Sequence, residues 1–128
     1  MNGNPVVQYD SLLEASLVLG FEAKGPAVLN GSLEQISVIG KKALSLRYRN
    51  GYVFRKAKGS GDISGVSEPF PEVRESVFDG RKITEKGRDG RVFLVLWTDG
   101  TFSYSFHTPL GANSEAIRLL IESVTAAD

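Results

Sequence analysis

The chain's only histidine, His107, follows Ser103 and Ser105 in the stretch VFLVLWTDGTFSYSFHT, residues 92–108. Serine beside imidazole is the raw material of a nucleophile and its general base. On one strand, however, alternate residues repeat at about 6–7 Å. That is too far for a direct hydrogen bond without help from rotamers. No glycine-rich elbow surrounds either serine. The simpler account is a polar strand face, and the chain is read as non-enzymatic with no catalytic residues. A second constellation is electrostatic. Residues 41–58 hold Lys41, Lys42, Arg47, Arg49, Arg55, Lys56 and Lys58 and no acid, interleaved with Tyr48, Tyr52 and Phe54. A basic hairpin with aromatic residues can bind a polyanion or nucleic acid. The competing account is a solvated, edge-protecting face neutralised by the acidic stretch 62–79.

A third stretch, GSGDISGVSEPFP (59–71), places Asp62 in the longest expected loop. Asp62 offers oxygens to a hard cation, but the spacing is not that of a calcium loop. The stretch also lacks the Gly-Lys-Ser/Thr ending of a phosphate loop. One histidine and no cysteine leave no expected metal site, and no cofactor is expected. The candidate binding residues are Arg47, Arg49, Arg55, Lys56, Asp62 and His107.

These residues need elements to hold them. Ser11 with Glu14 three positions on forms a capping box, and Gly20 stops the helix expected over 11–19. FEAK (21–24) reads as a brief strand and LNGSL as a turn. From residue 33 the apolar period becomes two. A three-residue loop at Arg49-Asn50-Gly51 would pair Tyr48 with Tyr52 and Leu46 with Phe54. Asp79-Gly80 and GRDG (87–90) read as further turns. Asp99-Gly100 as a two-residue turn would set Trp97 opposite Phe102 and Val95 opposite Tyr104. One face would then carry Phe93, Val95, Trp97, Phe102, Tyr104 and Phe106 as a core wall. The other would carry Leu94, Leu96, Thr98, Thr101, Ser103, Ser105 and His107, half exposed. Ile117, Leu120, Ile121 and Val124 recur at helical spacing after a cap at Asn113 or Ser114.

The expectation is an α+β fold. It is a meandering antiparallel sheet of about seven strands, with a short N-terminal helix and a C-terminal helix packed on one face. Its 128 residues suit a single domain spanning 1–128, with 1–9 a loose lead-in. Fifteen basic and fifteen acidic residues give no net charge, which argues against a dedicated nucleic-acid binder. No apolar run reaches the roughly 20 residues of a membrane span. The start lacks the pattern of a signal peptide. An anchor removed upstream of residue 1 is compatible with these features.

Five segments carry a resemblance: NPVVQYDSLLEASLVLGFEAKGP, ISVIGKKALSLRYRNG, AKGSGDISG, LWTDGTFSYS and IRLLIESV, in that order. Over about residues 4–125 the chain resembles a bacterial family of unknown function. That family is met as the extracytoplasmic, C-terminal domain of membrane-anchored, anti-sigma-like proteins of Gram-positive bacteria, and also as small free-standing proteins. The most specific pieces are Asn4-Pro5-Val6-Val7, Asp62-Ile63-Ser64-Gly65 and Trp97-Thr98-Asp99-Gly100. Where relatives carry an LPEGY-like turn, this chain has AVLNGSLE. The resemblance implies a sensing or interaction module outside the membrane, with an unknown protein or small ligand as partner and an anchor this chain lacks. It brings no catalytic motif. The alternatives are a polyanion binder using residues 41–58 and a carrier of an apolar ligand between sheet and helices.

Overall fold

Two helix caps frame the chain. The Ser11 hydroxyl accepts the Glu14 N–H at 3.1 Å, starting α1 (Leu12–Leu19), and Gly20 ends it at a φ of 80°. Asn113 accepts the Ala116 N–H at 2.8 Å, starting α2 (Ser114–Ala126). Ile117, Leu120, Ile121 and Val124 are all buried, as their spacing requires. A computed structural model describes residues 5–126. Between and before the helices run β1 (Val6–Tyr9), β2 (Leu33–Ile39), β3 (Ala43–Tyr48), β4 (Val53–Lys58), β5 (Glu72–Phe78), β6 (Arg81–Arg88), β7 (Arg91–Thr98) and β8 (Phe102–Ala112).

All eight strands form one antiparallel sheet in the order β1-β2-β3-β4-β8-β7-β6-β5. The fold is α+β, and its hairpins follow from their turn residues. The β3–β4 loop is Arg49-Asn50-Gly51, with Leu46 opposite Phe54 and the Tyr48 N–H donating to the Tyr52 carbonyl at 2.8 Å. Asp79-Gly80 and Asp89-Gly90 have positive φ at both residues (53° and 76°, 54° and 74°), the mirror-image turn that suits strand twist.

The first and fourth strands of this order explain the rest. Residues 6–9, expected within a loose lead-in, form β1, paired from Val6 opposite Ile39 to Tyr9 opposite Ile36. Residues 1–4 of that lead-in lie outside the described residues. FEAK is not a strand: the Ala23 N–H donates to Ser16 Oγ of α1 at 2.7 Å, so the helix and not a neighbouring strand holds it. The first four residues of LNGSL lie in a 3-10 helix, Ala27–Ser32, and Leu33 opens β2. β4 pairs with β8, yet β5 lies at the far edge. Residues 59–71 must therefore cross β8, β7 and β6 to reach it.

The β7–β8 register differs from the expected one by two residues. Trp97 faces Tyr104, Val95 faces Phe106 and Leu94 faces His107. Asp99 is the reason. Its Oδ1 accepts the N–H groups of Thr101 and Phe102 at 3.0 and 2.8 Å, which makes a four-residue loop, 99–102. A shift of two leaves every side chain on its expected face. The inner wall thus survives: Trp97 and Tyr104 stack at 5.1 Å with Phe54 beside both. Phe93 is the exception. Val92 faces Ala112 while Leu94 faces His107, and in this bulge the Phe93 ring stacks on Phe70 of the crossing segment. The other face is not half exposed where the segment crosses it. Leu94, Ser103 and Ser105 are at most 2% exposed, and Ser103 Oγ donates to the Gly59 carbonyl at 2.6 Å.

Asp99 gives this register a pH signature. Burial pushes its carboxyl up, but the Phe102 N–H, the Tyr104 hydroxyl, the Thr101 N–H and nearby Lys56 together hold it below the usual range. A depressed carboxylate stabilises the fold above its ordinary pKa of about 4, and that contribution is lost as pH falls through the folded value. Asp99→Asn is expected to cost about 1 kcal/mol at pH 7. It should also lose less stability than the wild type on acidification, as measured by urea unfolding at each pH.

Candidate functional site

The face of the sheet turned away from α1 and α2 is built by alternation. On it lie Gln8 of β1, Gln35 and Ser37 of β2, Ser45 and Arg47 of β3, Val53 and Arg55 of β4, and His107 of β8. They line a shallow cleft of about 520 Å³, rimmed by Val6, Ile39, Gly51 and Pro109. Register fixes the cationic groups. Arg47 faces Val53, and Val53 faces His107, so Arg47 and His107 flank Val53 in one row across three strands. Ser45, Arg55 and Ser105 form the next row. The two arginines and the histidine are thus a triangle with Val53 as its floor.

Arg55 is the most constrained of the three. Its Nε donates to Ser45 Oγ at 3.2 Å and its Nη1 to the Ile63 carbonyl of the crossing segment at 3.4 Å. Gly65 lets the segment lie this close. A Cβ there would stand 2.5 Å from Arg55 Nη1, at a φ of 71° that already disfavours other residues. Burial lowers the pKa of Arg55 and of His107. Among the described residues no carboxylate pairs with Arg47, Arg55 or His107. The cleft is an acid-free, donor-rich depression on a rigid sheet, half covered at one side by the crossing segment.

Three of the six residues singled out from sequence therefore come together, and three do not. Arg49 is exposed in the β3–β4 loop, outside the cleft lining. Lys56 points to the opposite face, where it is 6% exposed and its Nζ lies 4.4 Å from the Phe102 ring centroid, with Phe21 and Tyr104 at 5.5 and 5.6 Å. Alternation along β4 forces this split. Asp62 is exposed and accepts the Ser64 N–H at 2.9 Å, organising its own turn. Gln8, Gln35 and Ser45 carried no sequence signal as site residues. Their place depends on β1 and β2 joining the sheet, which no local pattern announces.

Among the described residues neither Ser103 nor Ser105 hydrogen-bonds to His107. Ser103 donates to the Gly59 carbonyl, and Ser105 is buried between Arg55 and Leu96 of the neighbouring strands. Among the described residues no group of three His, Asp or Glu side chains could hold a metal. A second depression, about 390 Å³, lies between β5 and the β6–β7 bulge and mixes Glu72 and Glu85 with Arg74, Lys86 and Arg91. Its charges are mixed in sign, and Glu85 accepts the Ser114 hydroxyl at 2.9 Å to seat α2. No family model matches the chain, and no curated protein or solved structure matches it.

The lowered pKa of His107 has a defined sign. The unfolded chain takes up a proton below about pH 6.5, before the folded chain does. Stability is therefore expected to fall as pH drops from 7.5 to 5.5. In His107→Gln that part of the slope should vanish in thermal melts taken across the same range.

Proposed function

We propose that this chain is a non-enzymatic sensing or interaction domain whose partner docks on the outer face of β1–β4 and β8. One observation carries the reading: the Arg47, Arg55 and His107 triangle is solvent-accessible, free of carboxylates and held on strands. Cations gathered on rigid elements and left without counter-charges form a surface prepared for something anionic. The space between sheet and helices is filled by Phe54, Trp97, Tyr104, Ile117 and Ile121, all buried, so the outer face offers a ligand more room than the inner one. The seven basic residues of 41–58 divide between two faces and two turns, which suits a compact anion better than a long polyanion. Display outside the membrane is part of the proposal and rests on the family resemblance. Among the described residues no helix is long and apolar enough to cross a membrane.

Photo-cross-linking in cells that make the protein tests the docking face. A cross-linker at Gln35 is expected to give a discrete adduct that Arg47→Glu abolishes, while one at Leu119 on α2 gives none. Adducts from Leu119 alone, or turnover of any substrate abolished by His107→Ala, would overturn the reading. Protease added to intact cells is expected to digest the domain. Protection there would remove external display while leaving the docking face in place.

A further inference from the structure

We infer that the outer-face cleft binds the phosphate group of a small organic phosphoester, with the two arginines and His107 as its ligands. This deepens the docking-face reading and rests on it. The triangle is the first argument. Arg47 and His107 stand on either side of Val53, separated by two strand spacings of about 4.8 Å each. Arg55 lies one pleat repeat further along the middle strand. Three donor side chains placed by register around one floor residue can serve the three free oxygens of a tetrahedral phosphoester. A planar carboxylate is satisfied by a single arginine fork.

Charge is the second argument. Two permanent cations without carboxylate partners match a group that carries nearly two negative charges near neutral pH. Size and lining fit as well. The cleft volume of about 520 Å³ exceeds what a bare phosphate needs, and Val6, Ile39, Val53 and Pro109 supply apolar surface beside the donors. The phosphate would sit over Val53, and its organic part would lie toward the β1–β2 side. Gln8 and Gln35 stand on that side with donors and acceptors for hydroxyl groups. Arg55 gives two of its N–H groups to Ser45 and Ile63, which leaves others to donate to the anion.

His107 makes binding depend on pH. The charged groups near it on this face are Arg47 from β3 and Arg55 from β4. Its β7 partner is the uncharged Leu94, and Lys86 lies opposite Leu94 on β6. All are cations, so a bound anion favours the protonated imidazole and gains from it. A phosphoester could come free, or on the surface of a membrane as a lipid headgroup. Both present the same group to the same three side chains.

The test is titration calorimetry of the whole chain with glycerol 3-phosphate, acetate and vesicles containing phosphatidic acid. Saturable binding of glycerol 3-phosphate is expected, weakened about tenfold by Arg47→Ala and partly restored by Arg47→Lys. Arg47 is exposed, so the variant should melt as the wild type does, and the melt verifies this. The affinity ratio of wild type to His107→Gln should grow as pH falls from 7.5 to 5.5, which cancels the titration of the phosphate itself. Stronger binding to vesicles than to the soluble ester would assign the lipid source, and the reverse a free one. Absent saturation, acetate binding as tightly, or no effect of Arg47→Ala would overturn the inference. If phosphate fails while the Gln35 adduct still depends on Arg47, the ligand class falls and the docking face stands.

Discussion

The pairing of β4 with β8 is the constraint on which the rest of the structure depends. It joins an N-terminal meander, β1 to β4, to a C-terminal one, β5 to β8, into a single sheet. The residues across the seam are of opposite kinds on its two faces. Inward, Phe54 faces Phe106 and stands beside Trp97 and Tyr104, and such aromatic contacts contribute about 0.5–1.5 kcal/mol each beyond the area they bury. Outward, Val53 faces His107 and Arg55 faces Ser105. The same seam thus closes the core and brings His107 beside the Arg47–Arg55 hairpin on the outer face.

The crossing segment is a consequence of this seam. Once β4 lies beside β8, the chain must travel over three strands before β5 can begin. Thirteen residues without regular structure are long for a compact domain, and such a stretch needs its own anchors. Gly59 is held by Ser103 and Thr101, Ile63 by Arg55, and Phe70 by Phe93 and Arg88. Glu68 pairs with Arg88 near the far end. Arg55 therefore has two duties. Its Nη1 ties the segment down at Ile63, and its Nε holds Ser45 at the edge of the cleft.

The local part of this fold is legible in the chain. Both helix caps, the Arg49-Asn50-Gly51 hairpin loop and the turns at Asp79-Gly80 and Asp89-Gly90 are short-range signals, and each appears where its residues direct it. The face assignments around Trp97 also hold, because Asp99 moves the register by two residues and parity is unchanged. What could not be read is non-local. Val-Val-Gln-Tyr is too short and too open to announce a strand, and it becomes one only because β2 presents an edge. Phe93 leaves the wall because four residues, 108–111, bulge opposite it. The exposure of Ser103 and Ser105 could not be judged without knowing which way residues 59–71 cross. For the cleft, Arg47 and Arg55 were visible as neighbours on one hairpin. The third corner required the seam.

Arg55 and Lys56 show why a charge run is a poor guide to a charged surface. They are adjacent on β4, so strand alternation sends them to opposite faces. Arg55 reaches the outer cleft. Lys56 is driven into the aromatic side of the sheet, where a bare ammonium would be costly. Three rings surround it there, and a desolvated cation over such faces gains about 2 kcal/mol. Asp99, hydrogen-bonded to Tyr104 at 2.8 Å, adds a negative charge close by. The carboxylate that shapes the β7–β8 turn therefore also helps to offset the buried lysine. This leaves β4 free to present an arginine, uncompensated, on its other side.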